Sequence, residues 1–143
     1  MKIVSWNVNG IRSRIFNEKT SAQIGKVKDV LVESGSSIEE ILSLNPDIIC
    51  FQETRCEVSQ GNRFKIQGFK SFFNESKEQS HRGPNRYSGT CIFYSEKLTP
   101  NKIETCIPGY EDTEGRIIIM YFQDFTIVSV YAPNSGSNYE KKK

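Results

Sequence analysis

Asp47-Ile48-Ile49-Cys50-Phe51-Gln52-Glu53 is an apolar run that stops abruptly at two polar residues. Hydrophobicity sustained over a strand's length without alternation is the pattern of a strand covered on both faces. In open or layered α/β folds the ends of central strands are where side chains leave the core and meet a ligand, so Glu53 becomes a candidate site residue. The segment alone also fits a glutamate that simply reaches water, and the flanking stretches have to decide between the two.

Upstream, Asn45-Pro46 stops a short helix that opens with the capping-box pattern Ser37-Ile38-Glu39-Glu40 and puts Ile38, Ile41 and Leu42 on one face. Before it, Ile24, Val27, Val30 and Leu31 recur at helical spacing, which predicts an amphipathic helix over Gln23 to Glu33 that Gly35 ends. Lys2 to Val8 reads as a strand, broken by Asn9-Gly10, a pair that favours positive φ. Downstream, the pattern weakens between Thr54 and Glu78, where turns and one short strand are expected. Ser80 to Gly89 is rich in turn formers and positive charge and reads as a surface loop carrying His81, Arg82 and Arg86. Strands follow at Thr90 to Tyr94, Arg116 to Phe122 and Phe125 to Tyr131, the last two joined as a hairpin at Gln123-Asp124.

With 36% hydrophobic and 25% charged residues in 143, the chain fits one soluble globular domain rather than a disordered tail. No stretch approaches the ~18 consecutive apolar residues of a membrane span, and Met1 runs straight into a strand pattern, so neither anchor nor signal peptide is expected. Cys50, Cys56, Cys91 and Cys106 form no C-x-x-C pair, and Cys50 and Cys91 lie in apolar strand runs as small core residues. That favours an intracellular, reducing setting, with neither zinc nor disulfides. A net charge of +2 is too small to argue for a nucleic-acid partner by itself.

The polar residues at strand ends form a set: Asn7, Gln52 and Glu53, Tyr87, Arg116, Tyr131 and Asn134. If the strand ends converge, a carboxylate, amides, a guanidinium and phenols meet beside a basic loop. Such an inventory suits a phosphate ester. Mg²⁺ keeps several waters and takes one or two protein carboxylates plus phosphate oxygens, so a single Glu is a sufficient anchor.

Ser5-Trp6-Asn7-Val8-Asn9-Gly10-Ile11-Arg12, Gln52-Glu53-Thr54-Arg55-Cys56, Tyr87-Ser88-Gly89, Glu114-Gly115-Arg116-Ile117-Ile118 and Tyr131-Ala132-Pro133-Asn134 stand in order along the chain. In order and spacing they resemble the exonuclease III class of AP endonucleases, in the endonuclease/exonuclease/phosphatase superfamily. The resemblance implies that Glu53 is the Mg²⁺ ligand, with Mn²⁺ as a substitute. It implies that Asn7 orients the catalytic apparatus and that Tyr131 and Asn134 bind the scissile phosphate. Arg12, Arg55, Tyr87 and Arg116 match positions that line the DNA-binding or supporting shell.

The family fold is a four-layer α/β sandwich of two similar halves, and this chain resembles the first half. A later Gly-Asp-x-Asn segment, a further aspartate and a closing Ser-Asp-His, which in the family activate water and stabilise the leaving group, have no counterpart here. The expectation is therefore one incomplete α/β domain over residues 1–143, with a mostly antiparallel or mixed sheet and helices on its outer face. Its expected activity is Mg²⁺-dependent hydrolysis of DNA at abasic sites or 3′ ends. Alternatives are a non-catalytic DNA-binding subunit, or a superfamily member acting on lipid or RNA. Glu114-Gly115-Arg116 and Thr54-Arg55-Cys56 look like the DNA-repair branch and count against the last. A half-length chain is expected to cover only the helix side of its sheet, leaving an open apolar face to a second copy or a complementary half.

Overall fold

In a computed structural model, residues 1–15, 30–31, 37–80, 83–84 and 87–133 are described. In chain order the elements are β1 (Ile3–Asn7), α1 (Ile11–Ile15), β2 (Val30–Leu31), α2 (Ser37–Ser43), β3 (Ile48–Gln52), α3 (Val58–Gly61), β4 (Phe64–Lys65) and β5 (Phe69–Asn74). There follow β6 (Gln79–Ser80), β7 (Gly83–Pro84), β8 (Thr90–Ser95), β9 (Lys102–Glu104), β10 (Ile117–Tyr121) and β11 (Thr126–Val130).

The run that ends at Glu53 is the second strand of a mixed sheet ordered β1-β3-β8-β5, parallel between β1 and β3 and antiparallel elsewhere. Its continuous apolarity has a direct cause. Ile49 and Phe51 point to the helix side and join Val8, Ile11, Ile38, Phe73 and Phe93, while Ile48 and Cys50 point the other way and join Ile92, Ile118 and Met120. On the helix side the rings of Phe51 and Phe73 each meet Phe93 edge to face, at 5.9 and 5.8 Å between centroids. Such pairs add about 0.5–1.5 kcal/mol each beyond the area they bury.

The second core corrects an expectation. The far face of the main sheet is not open, because the three-stranded sheet β11-β10-β9 packs on it. The chain thus carries parts of two sheets rather than one complete sheet. What stays exposed is narrower: Ile3 on β1, and Val128 and Val130 on β11. β1 and β11 are edge strands, and they flank a cleft of about 370 Å³ lined by Ile3, Ser5, Gln52, Val128 and Val130 among others.

Three further differences concern single elements. The helix expected over 23–33 falls mostly outside the described residues, but Val30–Leu31 is extended and pairs in parallel with Phe64–Lys65. β-branched and apolar residues at helical spacing fit either state over so short a run, and pairing decided it. The stretch after Glu53 holds more than one short strand, since Phe69–Asn74 is a full strand of the main sheet. Phe73 belongs to the helix-side core and Phe72 packs on the inter-sheet core, which erases the alternation that would have marked it. His81, Arg82, Asn85 and Arg86 of the expected loop lie outside the described residues, while Gln79–Ser80 and Gly83–Pro84 pair as short strands.

Register sets up the site. Asn7 pairs with Gln52, Gln52 with Thr90, and Thr90 with Asn74, so these four polar residues stand level at one end of the sheet. The second sheet ends at the same rim: the Tyr131 amide donates to the Arg116 carbonyl one residue beyond β10 and β11, and Gln52 Nε2 reaches Ser129 Oγ on β11 at 3.4 Å.

Candidate active site

Immediately after β3 the chain turns through two left-handed residues, Glu53 at φ 54° and Arg55 at φ 50°, with the buried Thr54 between them. Non-glycine residues in this region cost on the order of 1–3 kcal/mol and persist where the surroundings over-determine them. Here they do. The Glu53 and Thr54 carbonyls accept from the amides of Gly10 and Ile11, and the Thr54 and Arg55 amides donate to the carbonyls of Gly89 and Ser88. The left-handed Asn9-Gly10 pair on one side, and Ser88-Gly89 on the other, clamp the turn. A Cβ on Gly89 would meet the Thr54 hydroxyl oxygen at 2.5 Å, so the glycine is needed both for its φ and for the close approach.

The result is a carboxylate held by three donors. Glu53 Oε1 accepts from Asn7 Nδ2 at 2.9 Å and from the Tyr131 hydroxyl at 2.8 Å, and Oε2 accepts from the Arg55 guanidinium at 2.7 Å. Burial pushes this carboxyl's pKa upward, but the bonds from Asn7, Tyr131 and Arg55, with the Arg55 charge, outweigh it and hold the group below its usual range. Tyr131 responds in the opposite sense: burial and its bond to Glu53 raise the phenol, against the Arg116 charge. Asn7 is itself oriented, because its Oδ1 accepts from the Asn9 amide at 3.1 Å.

Behind Tyr131 lies a second cluster. Arg116 is 3% exposed, with its guanidinium 4.7 Å from the Tyr131 ring centroid and 5.5 Å from that of Tyr87. It donates to Glu114 through Nε and Nη2, to the Tyr87 hydroxyl at 3.2 Å and to the Tyr131 carbonyl at 3.3 Å. Burial works against its charge, but the Glu114 and Tyr87 partners hold it protonated. Glu114 owes its position to a tight turn around Gly115, at φ 66°, where a Cβ would strike the Glu75 backbone at 2.5 Å.

Of the residues singled out in the sequence, Asn7, Glu53, Arg55 and Tyr131 are thus in contact, and Tyr87 and Arg116 form the layer behind them. Arg12 sits on α1, half-buried, where its charge opposes the burial that pushes the Cys56 thiol up to about 12. Asn134 lies outside the described residues. Two residues of this end of the molecule escaped the sequence reading. Asp112 is buried and accepts from the amides of Arg116 and Ile117 and from Asn74 Nδ2, which fixes the start of β10. Asn74, a polar residue ending an apolar strand just as Asn7 does, carried the signal that could have found it.

The donor set has the chemistry of a hard-cation site, since Glu53 offers carboxylate oxygen and its hydrogen-bond partners among the described residues are an amide, a phenol and a guanidinium rather than a thiol or an imidazole. Among the described residues no cluster of three or more His, Cys, Asp or Glu could hold a metal. A single carboxylate fits Mg²⁺, which retains water and borrows substrate oxygens, better than it fits zinc or calcium.

Comparison with known proteins is consistent along the chain. An exodeoxyribonuclease of Streptococcus pneumoniae is 27% identical over 99% of this chain and 50% of its own length. A DNA-(apurinic or apyrimidinic site) endonuclease of Dictyostelium discoideum is 31% identical over 96% of this chain and 31% of its own length. The chain therefore spans half or less of the length of these relatives. Among solved structures, the Xenopus laevis APE2 catalytic domain superposes with a TM-score of 0.60 at 26% identity, covering 99% of this chain and 47% of that one. Residues 4–141 match the profile described as the Endonuclease/Exonuclease/phosphatase family, and the chain belongs to that family.

Proposed function

We propose that this chain is the N-terminal half of a Mg²⁺-dependent DNA phosphodiesterase of the AP endonuclease or 3′-exonuclease type, working inside the cell on abasic sites or 3′ ends. The observation that carries the reading is the Glu53 carboxylate, held ionised by Asn7, Tyr131 and Arg55 at the rim shared by both sheets. Glu53 would hold the cation, Mg²⁺ or in its place Mn²⁺. When bound, the ion stabilises negative charge developing on the phosphate. Asn7 fixes the rotamer of Glu53. Tyr131 has one O–H to give, so binding a phosphate oxygen exchanges its Glu53 acceptor for the substrate, with Asn134 as a second phosphate contact. Arg12, Arg55 and Tyr87 supply contacts to the DNA backbone, with Arg116 holding Tyr87 and Tyr131 in place.

Apart from the Tyr131 hydroxyl, the groups in contact with Glu53 among the described residues are an amide and a guanidinium, neither suited to take a proton from the attacking water or give one to the leaving group. A complementary half, or a second copy of the chain, would bring such a base and donor, and the β1 and β11 edges, unpaired among the described residues and carrying exposed Ile3, Val128 and Val130, support such a partner. The same observation supports a second reading, a DNA-binding subunit without activity of its own. Incision of abasic-site duplex DNA with Mg²⁺, measured with and without a separately supplied C-terminal half, separates the two. Cleavage is expected only with both halves, and Glu53→Gln in this half should reduce it by about 100-fold or more. Binding to the half without any cleavage would favour the subunit reading.

A further inference from the structure

The three donors on Glu53 are not equivalent. Asn7 is fixed by its place on β1 and by the Asn9 amide, and Tyr131 is fixed by the Arg116 cluster. Arg55 is different: its side chain is 37% exposed against 16% for Glu53, and it rises on a four-bond stem from a pinned backbone. The two carboxylate oxygens differ in the same way. Oε1 already accepts two hydrogen bonds, whereas Oε2 accepts from Arg55 alone among the bonds seen. The oxygen with coordination capacity to spare is therefore the one that carries the guanidinium.

We propose that Arg55 is a built-in counter-ion for Glu53 that competes with a divalent cation for Oε2 and so sets the cation affinity of the site. The proposal rests on the reading of Glu53 as the cation ligand. The left-handed turn gives it a structural basis, because residues 53 and 55 are held by separate backbone bonds to two different loops, which keeps the guanidinium within reach of the carboxylate. A divalent ion at Oε2 would either displace Arg55 or lie beside a unit positive charge. Both weaken binding, and the coupling is reciprocal, so cation binding loosens Arg55.

Mn²⁺ titration of the purified chain, read by the electron paramagnetic resonance of the free ion, provides the test. Arg55→Gln should bind Mn²⁺ about fivefold more tightly than the unaltered chain where the ion displaces the guanidinium, the factor for losing one pair of unit charges at ~4 Å in a water-like dielectric, and about 30-fold more tightly where the ion lies beside it, because the double charge doubles the energy. Arg55→Lys, which keeps the charge, should stay near the unaltered value. The gain should vanish in the Glu53→Gln, Arg55→Gln double variant, and far-ultraviolet circular dichroism checks that each variant is folded. If Arg55→Gln binds equally or more weakly while Glu53→Gln still abolishes binding, the counter-ion role is overturned and the cation site stands. If Glu53→Gln leaves Mn²⁺ binding unchanged, both fall.

Discussion

Two arginines flank the Glu53 and Tyr131 pair, and the molecule treats them in opposite ways. Arg116 is buried, gripped by Glu114, Tyr87 and the Tyr131 carbonyl and set over two aromatic rings. Arg55 is partly exposed and has one ion pair, at 2.7 Å. Both belong to motifs that the sequence assigned to one DNA-binding or supporting shell. The difference teaches that a positive charge beside a bonded carboxylate and phenol can be framework or movable partner, and that burial and the number of hydrogen bonds decide which. Removing a desolvated guanidinium strips four hydrogen bonds from a part-buried cluster, whereas an exposed pair is replaced by solvent.

The largest effect is expected at the framework arginine. Arg116→Ala should destabilise the chain by about 3 kcal/mol, toward the low end for breaking a buried pair because Glu114 retains some solvent contact. Urea unfolding measures it, and a loss below about 1 kcal/mol would place Arg116 with the exposed pairs. Tyr131→Phe is expected to be intermediate, at about 1–2 kcal/mol, since it removes the donor of a charge-assisted bond but keeps the ring against Arg116. Arg55→Ala should be the mildest, under about 1 kcal/mol, which would leave the two arginines well separated in stability.

The comparison also has a pH signature. The folded-state pKa of Glu53 is depressed, so its contribution to stability is fully present above the ordinary carboxylate pKa of about 4.3 and is lost as pH falls through the folded value. Carboxyl carbon NMR should find Glu53 titrating below the ordinary carboxylate value. Arg55→Gln should move it upward by withdrawing both a hydrogen bond and a charge. No movement would mean that Asn7 and Tyr131 alone set the depression, and that Arg55 matters less to the carboxylate than its distance suggests.

Much of this arrangement was legible in the residues, for reasons that can be named. Ile48 to Phe51 read as a doubly covered strand because both faces do meet a core, and Asn9-Gly10 read as a turn because both residues adopt positive φ. The Gln123-Asp124 hairpin appears as expected, closed by the Phe122 amide on the Phe125 carbonyl. What stayed hidden was non-local. The second sheet was missed because Ile117 to Tyr121 shows apolar residues on both faces whether its partner lies in the same chain or elsewhere. β9, Lys102–Glu104, is too short for any period to show. The left-handed Glu53 could not be seen either, since nothing in Gln52-Glu53-Thr54 favours positive φ; the clamp comes from Gly10 and Gly89, distant in sequence.

The parallel pairing of β1 with β3 carries a consequence for how this chain tolerates change in length. Parallel neighbours require a crossover, so the polypeptide between Asn7 and Ile48 must return the whole length of the sheet before Glu53 can meet Asn7. The entropy of closing such a connection grows only with the logarithm of its length, about 0.6 kcal/mol for each doubling. Lengthening this crossover should therefore cost the Asn7 to Glu53 contact little. A reporter domain grafted into the crossover, with the titration of the Glu53 carboxyl as the readout, checks that expectation.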